Sequence, residues 1–244
     1  TMANLYGRTW TREELASRIG KESQLGGVRL GQYDDGNARG ARYAEVDTGS
    51  GLAYTVLLDR GMDVGVVRYN GASLVWESPT GPVHPAYFEP EGRGWLRTFH
   101  GGMVVTCGMT TAGAATIEDG EDLGLHGRIS HTPAANVWAD GAWRGDEYEM
   151  FVRGKMRQAV VFGENLLMDR RIWSRLGESR LMIRDVVTNE GYETTPHMLL
   201  YHVNFGFPLL DEGTTLLAPS RSVTPRDEVA APGLDVHSTY EAPI

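Results

Sequence analysis

Of the 7 histidines in this 244-residue chain, His100, His126 and His131 fall in one stretch, Arg97 to Ala134 (RTFHGGMVVTCGMTTAGAATIEDGEDLGLHGRISHTPA), together with the lone cysteine, Cys107. Twice there a histidine precedes glycine, at His100-Gly101-Gly102 and at His126-Gly127-Arg128. Glycine lets the chain bend sharply and lets another molecule approach the backbone. A titratable imidazole at such a bend suits a ligand pocket, because it donates through one nitrogen and accepts through the other near neutral pH. Between the two motifs Glu118, Asp119, Glu121 and Asp122 crowd round Gly120. Buried together they would repel one another, so they are expected in a solvated surface loop rather than round calcium.

A second place where chemistry shows is Met198 to Gly206, MLLYHVNFG. Read with period 2, Met198, Leu200, His202 and Asn204 share one face of a strand, and Leu199, Tyr201, Val203 and Phe205 the other. The odd face is apolar or aromatic and is expected in the core. The even face ends in an imidazole beside a carboxamide, and both need partners from protein, water or ligand. His84, in the proline-rich segment SPTGPVHPAYFEPEGRG, is a further candidate for ligand contact, against the alternative of simple solvation. His126, His131 and Cys107 match no familiar zinc spacing, and Cys107 reads as a small buried hydrophobe. No metal is expected. No glycine-rich loop has phosphate-cradling spacing with its lysine.

The elements that position these residues are mostly strands. Thr11 and Glu14 form a capping box flanked by Trp10 and Leu15, which predicts a short helix over 12–19, stopped by Gly20. Alternation then predicts strands through Ala41–Asp59, a tight turn at Arg60-Gly61-Met62-Asp63, and a hairpin across Asn70-Gly71. The proline-rich segment is a long loop crossing one end of the sheets. A primed turn is expected at Asp140-Gly141, and strands near Tyr148–Val152, Ala159–Phe162, Leu166–Ile172, Leu181–Val187 and Met198–Phe205. Many short strands and little helix make an all-β antiparallel sandwich or barrel, read as one domain over 1–244.

Composition sets outer bounds. A net charge of −9 opposes phosphate neutralisation, so nucleic acid is not an expected partner. No stretch approaches the roughly 18 apolar residues of a membrane helix, and no membrane partner is expected. One cysteine cannot close an internal disulfide. The start of the chain lacks the basic and apolar regions of a signal peptide, which makes the cytoplasm the default, although a mature secreted chain would look the same.

The residues also carry a family resemblance. GLHGRISHTPAANV resembles the segment of aldose 1-epimerases (mutarotases) and related hexose-phosphate epimerases in which a His-Gly pair supplies the first site histidine. RTFHGGMVVTCGM is similar to the segment before it, and LLYHVNFGFPLL to the strand with the second histidine. With LDRGMDVG and SPTGPVHPAYFEPEG, these segments look like an uncharacterised branch of aldose 1-epimerase-like proteins, matched over about Leu58 to Arg226. The resemblance implies a galactose-mutarotase-like β-sandwich binding a small sugar or sugar derivative across one sheet, without cofactor and with a homodimer allowed. It further implies that His202 is the general acid toward the ring oxygen, that His126 positions the sugar oxygens, and that Arg97 donates hydrogen bonds. His100, Arg128, Asn204 and His84 complete the set expected to touch substrate.

One departure is plain. The family's catalytic glutamate lies in a Glu-Pro-type motif well after the second histidine, and Glu212, Glu228 and Glu241 do not match it. The chain is therefore expected to be the N-terminal part of a longer protein, lacking the last strands of the sandwich, or to use another base. Other readings stay open: a silent sugar-binding module, or a lyase or glycoside-processing protein on the same fold.

Overall fold

Alternating apolar residues become two antiparallel sheets packed face to face. The computed structural model describes residues 2–243, so both end residues of the expected domain lie outside the described residues. A hairpin of β1 (Ala3–Leu5) and β2 (Arg8–Trp10) leads into α1 (Arg12–Ala16). The capping box is present, with Thr11 N–H donating to Glu14 Oε2 at 2.9 Å and Glu14 N–H to Thr11 Oγ1 at 3.2 Å. The helix stops at Ala16, short of the expected residue 19. The Glu14 carbonyl that the next turn needs is taken by the Ser17 hydroxyl at 2.9 Å and the Arg18 guanidinium at 2.6 Å.

Then follow β3 (Gly27–Gln32), β4 (Arg42–Asp47), β5 (Leu52–Leu57), β6 (Asp63–Tyr69), β7 (Ala72–Ser73) and β8 (Val104–Met109). A small hairpin, β9 (Thr116–Glu118) with β10 (Glu121–Leu123), replaces the expected acidic loop, turning on Asp119-Gly120 with all four acids exposed. The second half holds β11 (Ala135–Arg144), β12 (Glu147–Ala159), β13 (Asn165–Arg175), β14 (Met182–Asn189) and β15 (Met198–Val203). One sheet has the order β15-β8-β6-β5-β4-β3, with β7 also on β6; the other is β11-β12-β13-β14. Val46, Tyr54, Val56, Val64 and Val104 from the first meet Met150, Val152, Met156, Met168 and Ile172 from the second in one core.

Three expectations fail locally. β11 runs straight through Asp140-Gly141, and the chain turns later, at Gly145 with φ +63°. Gly141 is small because the Tyr148 ring lies over it: a Cβ there would stand 2.2 Å from the Tyr148 hydroxyl. Ala159–Phe162 is not a strand. β12 ends at Ala159, and Phe162, at φ +64° and fully exposed, is part of the turn into β13. On β15 only Leu199 of the odd face packs against the core. Tyr201, Val203 and Phe205 stay 43–46% exposed, because β15 is an edge strand and no described strand covers that side.

Between the sheets lies the fully buried Arg170. It donates to Asp185 through Nε (2.8 Å) and Nη2 (2.7 Å), and through Nη1 to Thr106 Oγ1 (2.8 Å) and Gly61 O (3.0 Å). Asp63 Oδ1 is 3.5 Å away and accepts the Thr106 N–H at 2.9 Å. Tyr201 donates to Asp185 Oδ2. This network ties β6, β8, β13, β14 and β15 together.

Candidate functional site

Pairing of β15 with β8 sets His202 opposite Val105 and Leu200 opposite Cys107, so His202 points away from the inter-sheet core. That outer face is covered by two loop segments, residues 83–102 and 110–132. Trp95, Val105 and Cys107 are buried beneath them with Phe88, Phe99, Ala112 and Leu125. Burial pushes the Cys107 thiol up to about 12, so it acts as an inert apolar side chain.

His126 is clipped onto the end of β8. Gly108 N–H donates to its carbonyl at 3.0 Å, and Arg128 N–H donates back to the Gly108 carbonyl at 2.9 Å. A Cβ on Gly127 would lie 2.3 Å from Gly108 O, which explains the glycine after this histidine. His126 itself takes the left-handed backbone, φ +59°, a strain that non-glycine residues bear chiefly at functional positions. Its Nδ1 accepts from Gly113 N–H at 3.3 Å, so the ring proton sits on Nε2. Burial first, then the nearby His202, hold His126 below its ordinary pKa and hence neutral.

The two rings stand 5.7 Å apart, centroid to centroid, at 81°. Aromatic rings frame them: Trp95 is 4.7 Å from His126, Phe99 is 5.6 Å from His202, Trp95 stacks on Phe99 at 4.6 Å, and Trp76 lies 5.8 Å from Phe99. Trp76 is 45% exposed. His202 Nδ1 is buried and without a protein partner, which leaves Nε2 as the nitrogen for a ligand. No carboxylate is hydrogen-bonded to either ring among the described residues. Two imidazoles 5.7 Å apart with nearly perpendicular planes, beside aromatic rings, can hydrogen-bond oxygens of a ring-shaped polar ligand while its C–H faces lie on the aromatic surfaces.

The other predicted residues are dispersed around this pair. Asn204 staples β15 to the His-Gly-Gly loop, donating to Gly102 O at 3.0 Å and His202 O at 3.2 Å. Arg97 is exposed and pairs with Glu89 at 3.1 Å. Arg128, also exposed, lines a small separate cleft with Glu121, Asp122, Gln158 and Glu164. His84 Nδ1 accepts from Ala86 N–H at 3.1 Å and so caps its own turn. His100 is 4% exposed, and neither ring nitrogen has a protein partner. Burial, with Arg60 beside it, keeps it neutral.

Arg60 organises the loops. Its guanidinium donates to Ser130 O (2.7 Å), Val83 O (2.9 Å) and Thr98 O (2.9 Å), and lies 2.9 Å from His131 Nε2. His131 Nδ1 in turn is 3.1 Å from Ser130 Oγ, which Trp95 Nε1 also reaches at 3.0 Å, and Phe88 stacks on its ring at 3.9 Å. Sequence reasoning missed Arg60 and the aromatic frame. The spacing of Trp95 and Phe99 in GWLRTF offered a local signal for a shared face; Trp76 and Arg60 arrive from distant segments and gave none. Among the described residues no three His, Cys, Asp or Glu side chains converge as a metal requires, and no helix is long and apolar enough to cross a membrane.

Two stacked antiparallel sheets, with a histidine pair on the outer face of the larger, define a galactose-mutarotase-like sandwich. A structure described as a putative aldose 1-epimerase from Klebsiella pneumoniae subsp. pneumoniae MGH 78578 superposes with TM-score 0.85 at 28% identity, over 97% of this chain and 65% of that one. The chain thus spans about two thirds of that protein's length. More distant is a galactose mutarotase-like protein from Clostridium acetobutylicum, with TM-score 0.48 and 11% identity over 78% of this chain and 60% of that one. A galactose 1-epimerase from Lactobacillus acidophilus NCFM gives 0.36 and 16% over 60% and 44%. No curated protein matches the sequence. Residues 38–244 match the domain of unknown function DUF4432, and the chain belongs to that family.

Proposed function

We propose that the protein binds a small sugar between His126 and His202 and interconverts its anomers, as an aldose 1-epimerase does. The observation that carries this reading is the histidine pair, 5.7 Å apart, with Trp95 against His126, Phe99 against His202 and Trp76 beyond Phe99. The likeness to the Klebsiella protein supports it. In the reaction a base removes the proton from the C1 hydroxyl, the C1–O5 bond breaks as C1=O1 forms, and an acid protonates O5. Rotation about C1–C2 and the reverse steps close the other anomer. His202 is the acid: its Nδ1 is buried, its Nε2 has no protein partner, and a positioned imidazole can pass a proton to the ring oxygen. His126, held neutral with Nε2–H outward, is a fixed donor that orients a sugar oxygen. The base is a group beyond the hydrogen-bonding reach of either ring. Action in the cytoplasm belongs to the same proposal.

One observation favours a second reading, a sugar-binding module: no described carboxylate is hydrogen-bonded to either histidine. Saturation-transfer NMR between the α and β anomeric protons of glucose and galactose separates the two. Enzyme-dependent exchange that falls at least about 100-fold in His202→Ala, the usual scale of acid–base catalysis, is the expected result. Sugar binding without exchange would refute the epimerase and establish the module.

A further inference from the structure

A cleft of about 270 Å³ opens on the larger sheet, lined by Gly27, Arg29, Glu45, Asp47, Ala53, Thr55, Val66 and Arg68 among others. Register places its side chains on the same face as His202. Residues directly opposed across a ladder share a face. His202 opposes Val105, while the neighbouring Val104 opposes Val64, which in turn opposes Val56 on the core side. Thr55, next to Val56, therefore faces outward, as do its partner Glu45 and Arg29 opposite Glu45.

A bulge links the cleft to the histidine loop. Between Tyr54↔Val67 and Val56↔Val64, β6 carries one residue more than β5, which bends a strand and frees an N–H. Thr55 Oγ1 accepts that N–H from Val66 at 3.0 Å. On its other side Gly65 receives the Gly101-Gly102 bend: Met103 N–H donates to Gly65 O at 2.9 Å, and a Cβ on Gly102 would lie 2.9 Å from Gly65 Cα. Trp76 stands at this junction, its ring 3.0 Å from where a Gly101 Cβ would be.

The cleft's chemistry is mixed. Arg29 and Glu45 stand opposite each other, yet neither closes an ion pair or hydrogen bond within the described protein, so a donor fork and an acceptor pair are both free. Arg68 and Asp47 add one charge of each sign, and Ala53 and Val66 supply apolar floor. Alternating donors and acceptors without net charge suit hydroxyls, each of which donates and accepts, better than an anion. Two strand spacings across and three residues along put Val66 on the order of 14 Å from His202. That exceeds the reach of one pyranose and lies within that of a short oligosaccharide.

We propose that this cleft is a second carbohydrate subsite, so that the ligand is a neutral oligosaccharide whose reducing end enters between the histidines and whose further unit lies against Arg29, Glu45 and Val66, with Trp76 along the path. The proposal rests on the sugar-binding reading of the histidine pair. The test is calorimetric titration of the chain with glucose, galactose, lactose, cellobiose and maltotriose, with anomer exchange of the two monosaccharides measured on the same samples. At least one oligosaccharide is expected to bind about tenfold more tightly than its reducing-end monosaccharide, and Glu45→Ala and Arg29→Ala to abolish that gain while monosaccharide exchange stays within about twofold. The inference is overturned if no oligosaccharide gains over its monosaccharide, or if the gain survives both substitutions. Exchange of monosaccharides without any oligosaccharide gain removes the cleft alone; an oligosaccharide gain without exchange removes the epimerase alone.

Discussion

Arg170 and Arg60 are both almost wholly buried, and they are held in opposite ways. Arg170 lies between the sheets and meets charge with charge, gripping Asp185 through two hydrogen bonds with Asp63 3.5 Å away. Burial works against its proton, but the hydrogen bonds and charge of Asp185, aided by Asp63, outweigh it, and the guanidinium pKa is raised. Arg60 lies under the loops of the candidate site with three carbonyls and an imidazole around it, and no carboxylate on its nitrogens. Burial lowers it to about 10. A guanidinium held by carboxylates welds strands that have one place to go. One held by carbonyl dipoles collects loops, fixing their backbones without introducing a negative charge beside the neutral histidines.

The comparison can be broken by mutation. Arg170→Met leaves Asp185 and Asp63 buried without their cation, and should cost about 3–5 kcal/mol of unfolding free energy in denaturant titration. A loss below about 1 kcal/mol would show that the ion pairs hold nothing together. Arg60→Met orphans carbonyls but no charge, so the expected loss is smaller, about 1–3 kcal/mol. It should also weaken sugar binding, with Arg60→Lys restoring part of it; equal losses at both arginines would erase the distinction drawn between them.

The third prediction concerns pH. Burial holds His100 and His131 well below the ordinary histidine pKa. A lowered folded pKa means that the unfolded chain binds more protons, so stability is full above about pH 6.5 and falls as the pH drops, by up to ~1.4 kcal/mol per unit for each ring. Asp63 works the other way. Burial pushes it up to about 6, above its unfolded value, so between pH 6 and about 4 the folded state gains a proton that offsets one histidine. Unfolding midpoints measured from pH 7.5 to 4.5 should therefore fall, and fall more steeply in Asp63→Asn. An unchanged slope in that variant would mean that Asp63 is ionised throughout.

Much of the fold was legible in local patterns. The capping box, the Asn70-Gly71 turn and the alternation of β4 to β6 need only neighbours in sequence, and all are present. The misreadings share a cause. Asp140-Gly141 has the composition of a turn, but its glycine makes room for Tyr148 on the paired strand. The odd face of β15 is apolar enough for a core, but sequence does not say which strand lies at an edge. At the site, His126 and His202 stood out because histidine beside glycine, or beside asparagine on an apolar strand, is a local oddity. Arg97 came instead from the family resemblance; in the fold it pairs with Glu89, and Arg128 lines a separate cleft.

The chain's own order of residues thus determined most element types and the outward direction of His202 on its strand, because capping and strand periodicity act within a few residues. Only the tertiary structure decided that His126 and His202 come together, that Trp95 and Phe99 pack against them, and that Arg60 gathers residues 83, 98 and 130 into one support. Those contacts join segments tens of residues apart, and their geometry is set by sheet register and by which buried polar groups can find partners, neither of which a linear pattern records.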